Sequence, residues 1–100
     1  MTRARDGIAE LAEIERVINA LAHPSRRQIL LVLHARGDQV NAGEIARRFA
    51  CSWPTTTRHL RVLEEAGLVR VEKEGRERFY ELDRRRLLRV AGGWLENFER

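Results

Sequence analysis

Within seven residues the chain sets two outward threonine hydroxyls (Thr55, Thr57), two guanidinium groups (Arg58, Arg61) and an imidazole (His59). These groups donate hydrogen bonds and carry positive charge, which suits contact with a polar, anionic surface. Covalent catalysis needs a nucleophile and a base oriented by a third group. Here no acid is placed to orient His59, and on one helix the Thr–His pairs face outward, away from any pocket. There is no glycine-rich loop to cradle a phosphate. His23, His34, His59 and Cys51 are scattered, with none of the spacing that a metal site uses. Neither an enzyme, a cofactor nor a bound metal is expected.

Such side chains need a firm support, and residues 51–68 supply its signals. Ser52 can cap a helix, and Pro54 falls in the first turn, where a missing N–H costs nothing. Gly67 can take the left-handed conformation after the last turn, with Leu68 folding back as its apolar contact. Trp53, Thr56, Leu60 and Leu63 form one stripe at helical spacing. Pro54, Thr55, Arg58 and Arg61 lie on the opposite face, flanked by Thr57 and His59.

The hundred residues suffice for one domain with a modest core. No run is long enough to span a membrane and no apolar secretory segment opens the chain, so a cytoplasmic protein without membrane insertion is expected. A single cysteine excludes an internal disulfide. The net charge is +4 and the isoelectric point about 10.5, which points weakly to an anionic partner. Residues 1–40, 41–82 and 83–100 carry +1, +1 and +2, so an electropositive face must come from folding. Of the basic residues only Lys73 is lysine.

Apolar residues at Ile8, Leu11, Ile14, Val17 or Ile18, and Leu21 predict an amphipathic first helix over 8–22. His23-Pro24-Ser25 breaks the chain and starts a second, with Arg26 and Arg27 in its first turn. Its Ile29-Leu30-Leu31-Val32-Leu33 run is apolar almost all round, as for a helix central to the core. Asn41 and Glu44 resemble a capping box that opens a third helix, with Arg47 and Arg48 on its outer edge. Two short helices joined by a tight turn make residues 42–66 a helix-turn-helix. Val69 and Val71, a charged turn at Lys73-Glu74-Gly75-Arg76, then Phe79, Tyr80 and Leu82 read as a β-hairpin over 68–82. Asp83 caps a last helix over 83–99. The expected fold is mainly α with a small β-hairpin, in the order α-α-α-α-β-β-α, a winged helix-turn-helix in one domain spanning 1–100.

Ala20-Leu-Ala-His-Pro-Ser-Arg-Arg-Gln-Ile-Leu, Gly43-Glu-Ile-Ala, Thr57-Arg-His-Leu-Arg-Val-Leu-Glu-Glu-Ala-Gly-Leu-Val, and Glu74-Gly-Arg ending at Tyr80-Glu-Leu together resemble the ArsR/SmtB family of bacterial repressors. The likeness covers roughly residues 17–83. It implies a homodimeric winged helix-turn-helix that represses transcription by occupying a double-stranded DNA operator, with the first and last helices at the dimer interface. The Ser-Trp-Pro-Thr-Thr-Thr segment resembles a subgroup of autorepressors with no metal site. Trp53 and Pro54 stand where the family commonly has a polar Gln-Ser pair, so base preference does not carry over.

On this reading Trp53, Pro54, Thr55, Thr57, Arg58 and His59 face the groove or its phosphates, with Arg61 reaching backbone. Trp53 packs either on thymine methyls or sugars, or against Phe49. His59 either meets a base or buffers the helix against neighbouring backbone. Lys73, Arg76 and Arg78 at the wing suit phosphates, unless Glu72, Glu74 and Glu77 compensate them. Arg84, Arg85 and Arg86 stand in a first helical turn, where the macrodipole disfavours cations, so something must offset them. Ile8, Leu11, Ile14, Ile18, Leu87, Val90, Ala91, Trp94, Leu95 and Phe98 form an apolar surface that predicts dimerisation and an inverted-repeat operator. Two other readings stay open. The fold could serve protein interaction without DNA, or a repressor could be switched through Cys51, whose thiol lies near Arg48 and a helix N-terminus. Neither the operator nor any inducer is legible.

Overall fold

A computed structural model of the chain describes residues 4–49 and 52–99, with the backbone alone at 4–6 and 8. Helix α1 (Ala4–Leu21) buries Val17 and Ala20 and leaves Leu11 and Ile18 outside. The chain turns at His23, whose Nδ1 accepts the Ser25 N–H at 3.1 Å and so caps α2 (Pro24–Arg36). Helix α2 sends Ile29, Leu30 and Leu33 into the core but turns Leu31 to solvent, so it is less central than its composition suggests. Its first-turn cations have partners. Arg26 donates to the Ala20 and Asn19 carbonyls at 2.8 and 3.0 Å, and Arg27 to Leu21 at 2.7 Å. These carbonyls lie in the last turn of α1, at the negative end of its dipole.

After Gly37, in the left-handed conformation, comes a two-residue strand that sequence did not foretell, β1 (Val40–Asn41). The Asn41 Oδ1 then accepts the Glu44 N–H at 2.8 Å and opens α3 (Ala42–Arg48). Ser52 caps α4 (Trp53–Glu65) through the Thr55 N–H at 3.3 Å. Helix α4 ends in a full C-terminal cap. The N–H of Leu68 bonds Leu63 O at 3.0 Å, that of Gly67 bonds Glu64 O at 2.9 Å, and Gly67 has φ 76°.

Strands β2 (Val69–Glu74) and β3 (Glu77–Leu82) pair antiparallel, Val69 opposite Leu82 and Glu74 opposite Glu77. Gly75 takes φ 62° in the two-residue loop, as tight hairpin turns require. Strand β1 adds to the far edge of β3, giving the sheet order β1-β3-β2. Asp83 caps the C-terminal run at the Arg86 N–H, 3.1 Å away. This run is α5 (Arg84–Leu87), a π turn (Leu88–Gly92), a further α turn (Gly93–Leu95) and a closing 3-10 turn (Glu96–Phe98). The π turn inserts an extra residue and shifts the seam, so Leu88 faces outward while Val90 is buried. One core unites all layers: Val17, Ile29, Leu33, Val40, Ile45, Leu60, Leu63, Leu68, Tyr80 and Val90.

Candidate nucleic-acid interface

Helix α4 is held by Thr56, Leu60 and Leu63, all within 1% of full burial. The Thr56 Oγ1 has no hydrogen-bond partner among the described residues. On the outer face Pro54, Thr57, Arg58 and Arg61 are exposed. Thr55 is half-buried, and its Oγ1 takes hydrogen bonds from Ser52 Oγ at 3.0 Å and from Arg58 Nη2 at 3.4 Å. It therefore ties the start of the helix to the Arg58 guanidinium. Trp53 was grouped with the inner stripe by spacing alone. The structure corrects this: Trp53 is 55% exposed, and its ring edge lies near Gly43, where a Cβ would stand 3.7 Å from Cζ2. The first residue of a helix sits outside the turn that the core contacts, so its stripe position does not bury it.

Between α3, α4 and the hairpin lies a cleft of about 580 Å³, lined by Trp53, Thr57, Arg61, Arg76 and Arg78 together with Asn41, Arg47, Glu64, Glu77 and Tyr80. Sequence reasoning singled out the first five. It placed Arg47 on the outer edge of α3, and only folding brings that guanidinium beside those of Arg61 and the wing. None of Arg47, Arg61, Arg76 and Arg78 has an ion pair among the described residues. Lys73 is exposed outside this cleft, directly across the hairpin from Arg78. Glu74 likewise faces Glu77, and Glu72 accepts from the Gln39 amide. Like charges opposite one another weaken a hairpin, so cross-strand pairing does not compensate the tip.

His59 needs a correction of placement. It is 8% exposed and turned inward, its ring 4.4 Å from that of His23 and its Nδ1 3.2 Å from Arg26 Nη1. Guanidinium only donates, so Nδ1 accepts and the proton sits on Nε2. Burial, then the nearby charges of His23, Arg26 and Arg58, lower its pKa below 6.5. His59 therefore braces α4 against the α1–α2 junction, because that junction crosses the flank its helical position would otherwise expose. Cys51 lies outside the described residues. Among those described, no three His, Cys, Asp or Glu side chains converge as a metal set.

Away from the cleft, α1 and the C-terminal run leave large apolar side chains exposed. Leu11, Ile18, Trp94, Leu95 and Phe98 are exposed, with Trp94 and Phe98 stacked edge to face at 5.0 Å. Leu88, not among the residues expected at that surface, is also exposed. Ile14, Leu87 and Ala91 pack partly on their own core, and Val90 is buried within the protomer, which removes it from the expected outer surface. The side chain of Ile8 lies outside the described residues. Arg86 joins α4 to α1. Its Nε donates to Ala66 O at the end of α4 at 3.0 Å, and its Nη2 lies 2.9 Å from Glu13 of α1. This answers the misplaced cations of the last helix for Arg86, while Arg84 and Arg85 are exposed.

Comparison with known proteins agrees with this architecture. A helix-turn-helix domain family matches residues 21–72. The transcriptional repressor SdpR of Bacillus subtilis is 33% identical over 82 residues, 82% of this chain and 88% of that protein. The chain belongs to the ArsR/SmtB family of winged helix-turn-helix regulators. An ArsR-like transcriptional regulator from Rhodococcus sp. RHA1 superposes with a TM-score of 0.73 at 31% identity, over 86% of this chain and 79% of that one. The homodimeric winged helix-turn-helix DNA-binding domain of a possible ArsR-family regulator from Mycobacterium bovis gives 0.74 at 28% identity, over 99% and 95%. The ArsR-type fold thus accounts for α1 through the C-terminal run. None of its described helices is long and apolar enough to cross a membrane.

Proposed function

We propose that this ArsR-family chain is a homodimeric transcriptional repressor that acts in the cytoplasm by occupying an inverted-repeat operator. The observation that carries the reading is the common side shared by the outer face of α4, Arg47 of α3 and Arg76 and Arg78 of the wing, around one cleft. Helix α4 enters the major groove with its N-terminal turn on base edges. Arg58 and Arg61 then reach its flanking phosphates, and the wing cations the adjoining backbone. A second copy covers Leu11, Trp94, Leu95 and Phe98 and sets two α4 helices about one DNA turn apart. The homodimeric M. bovis relative supports that arrangement. The chain does no chemistry of its own on this reading.

The test is a binding selection from a randomised duplex pool, followed by titration of the recovered site. An inverted repeat should emerge, and log affinity should fall against log salt with a slope of roughly −4 to −9 if two to five cations per protomer meet phosphate. Equal, salt-insensitive affinity for any duplex, or no binding, refutes the reading and leaves a protein-interaction role for the fold.

A further inference from the structure

The most unusual group on the outer face is also its least polar. Trp53 is the first residue of α4, Pro54 the second, and both side chains are exposed. Neither can supply the bidentate hydrogen bonds by which polar side chains tell one base edge from another. Yet the first turn of a recognition helix is the part that meets base edges. Trp53 is left 55% exposed, so binding that covers it adds favourable apolar burial. One edge of the ring, at Cζ2, lies close to Gly43, which carries no side chain to compete for that space. Arg47 and Arg61 line the same cleft without ion pairs among the described residues, so free cations share the cleft with an apolar plate. A rigid aromatic surface beside phosphate-seeking groups matches an apolar target on the floor of an anionic groove. In the major groove of B-DNA the one apolar group a base pair displays is the 5-methyl of thymine.

We propose that Trp53 is a specificity-determining residue that selects thymine in each half-site by packing its indole on the base's 5-methyl group. This rests on the DNA-binding reading above and deepens it by naming what the altered start of α4 recognises. Pro54 completes the plate by fixing the backbone of the first turn, and Arg47 and Arg61 seat the neighbouring phosphates.

Uracil in place of thymine deletes only that methyl and leaves sugar, phosphate and pairing untouched. The experiment uses the full chain and its selected operator, with each thymine replaced singly by uracil, for the wild type and for Trp53→Ala and Trp53→Phe. The wild type should lose affinity about fourfold at one or two positions per half-site, the value of one buried methyl. Trp53→Ala should bind more weakly to the thymine operator and show no further loss with uracil at those positions. Trp53→Phe, which keeps a smaller ring, should retain part of the discrimination and guards against a poorly folded alanine variant. Uracil insensitivity of the wild type, or the same uracil loss in wild type and both variants, overturns the proposal while leaving DNA binding intact. Failure of the wild type to bind any unmodified duplex overturns the DNA-binding reading and this inference with it.

Discussion

Gly67→Ala should show how firmly the end of α4 is tied to α1 and the C-terminal run. The new Cβ would stand 2.3 Å from Arg86 Nε, 2.7 Å from its Cδ and 2.8 Å from its Cζ. It would also hold an L-residue at φ 76°, at a cost of about 1 kcal/mol. Arg86 must move aside, and it then gives up its hydrogen bond to Ala66 O and its contact with Glu13. A hydrogen bond from a charged donor contributes about 1.5–3 kcal/mol. The ion pair adds less than about 1, because both side chains keep about a quarter of their exposure (27% and 22%) and water screens them. Arg86→Ala alone should therefore destabilise by roughly 2 kcal/mol and Gly67→Ala by roughly 3. Once Arg86 is gone the clash is gone too, so the double variant should also lose only about 3, a coupling of about 2 kcal/mol. Urea titrations of all four proteins at one protomer concentration measure this, since association contributes to apparent stability. Additivity within about 0.5 kcal/mol would refute the link between Arg86 and the α4 cap.

Three further outcomes follow from the same structure. Arg47→Ala and Arg61→Ala should each weaken operator binding and lower the salt slope by about one per DNA-bound protomer, with little change in the urea midpoint. A large midpoint shift would mean these side chains brace the fold. For His59, the folded pKa lies below the ordinary value because of burial and then His23, Arg26 and Arg58. Both states are neutral at high pH. As pH falls through about 6.5 the unfolded chain takes a proton that the folded chain refuses, so the contribution of His59 to stability falls there and is fully lost only below the folded pKa. Calorimetry between pH 5 and 7.5 should show that slope in the wild type and a flatter one in His59→Gln; an unchanged slope in the variant contradicts the assignment. Trp94→Glu should shift sedimentation toward monomer and reduce operator affinity together, whereas an intact dimer would place the interface elsewhere.

Local signals proved reliable where a few adjacent residues decide the outcome. Ser52, Asn41 and Asp83 cap their helices as their types and positions suggest, and Gly67 with Leu68 closes α4. The wing turn at Gly75 follows for the same reason: a positive φ within a two-residue loop is a local demand. Strand β1 escaped notice because two residues have no period, and Val40–Asn41 becomes a strand only when Tyr80 and Phe79 arrive beside it. The π turn at 88–92 also escaped, since a helix-period pattern assumes an unbroken register.

The candidate site divides along the same line. Which residues carry hydroxyls, cations and an aromatic ring on α4, and where that helix starts and stops, was determined by sequence through helical spacing and capping. Which of them face outward was decided by tertiary structure. His59 turned in because the α1–α2 junction brings Arg26 and His23 against its flank. Trp53 turned outward into the cleft, with one ring edge near Gly43. Arg47 joined the cleft because α3 packs against α4 and sets it beside Arg61. Periodicity assigns a residue to a face of its own helix, but burial depends on what packs against that face, and those neighbours lie far off along the chain: Arg26 is 33 residues from His59.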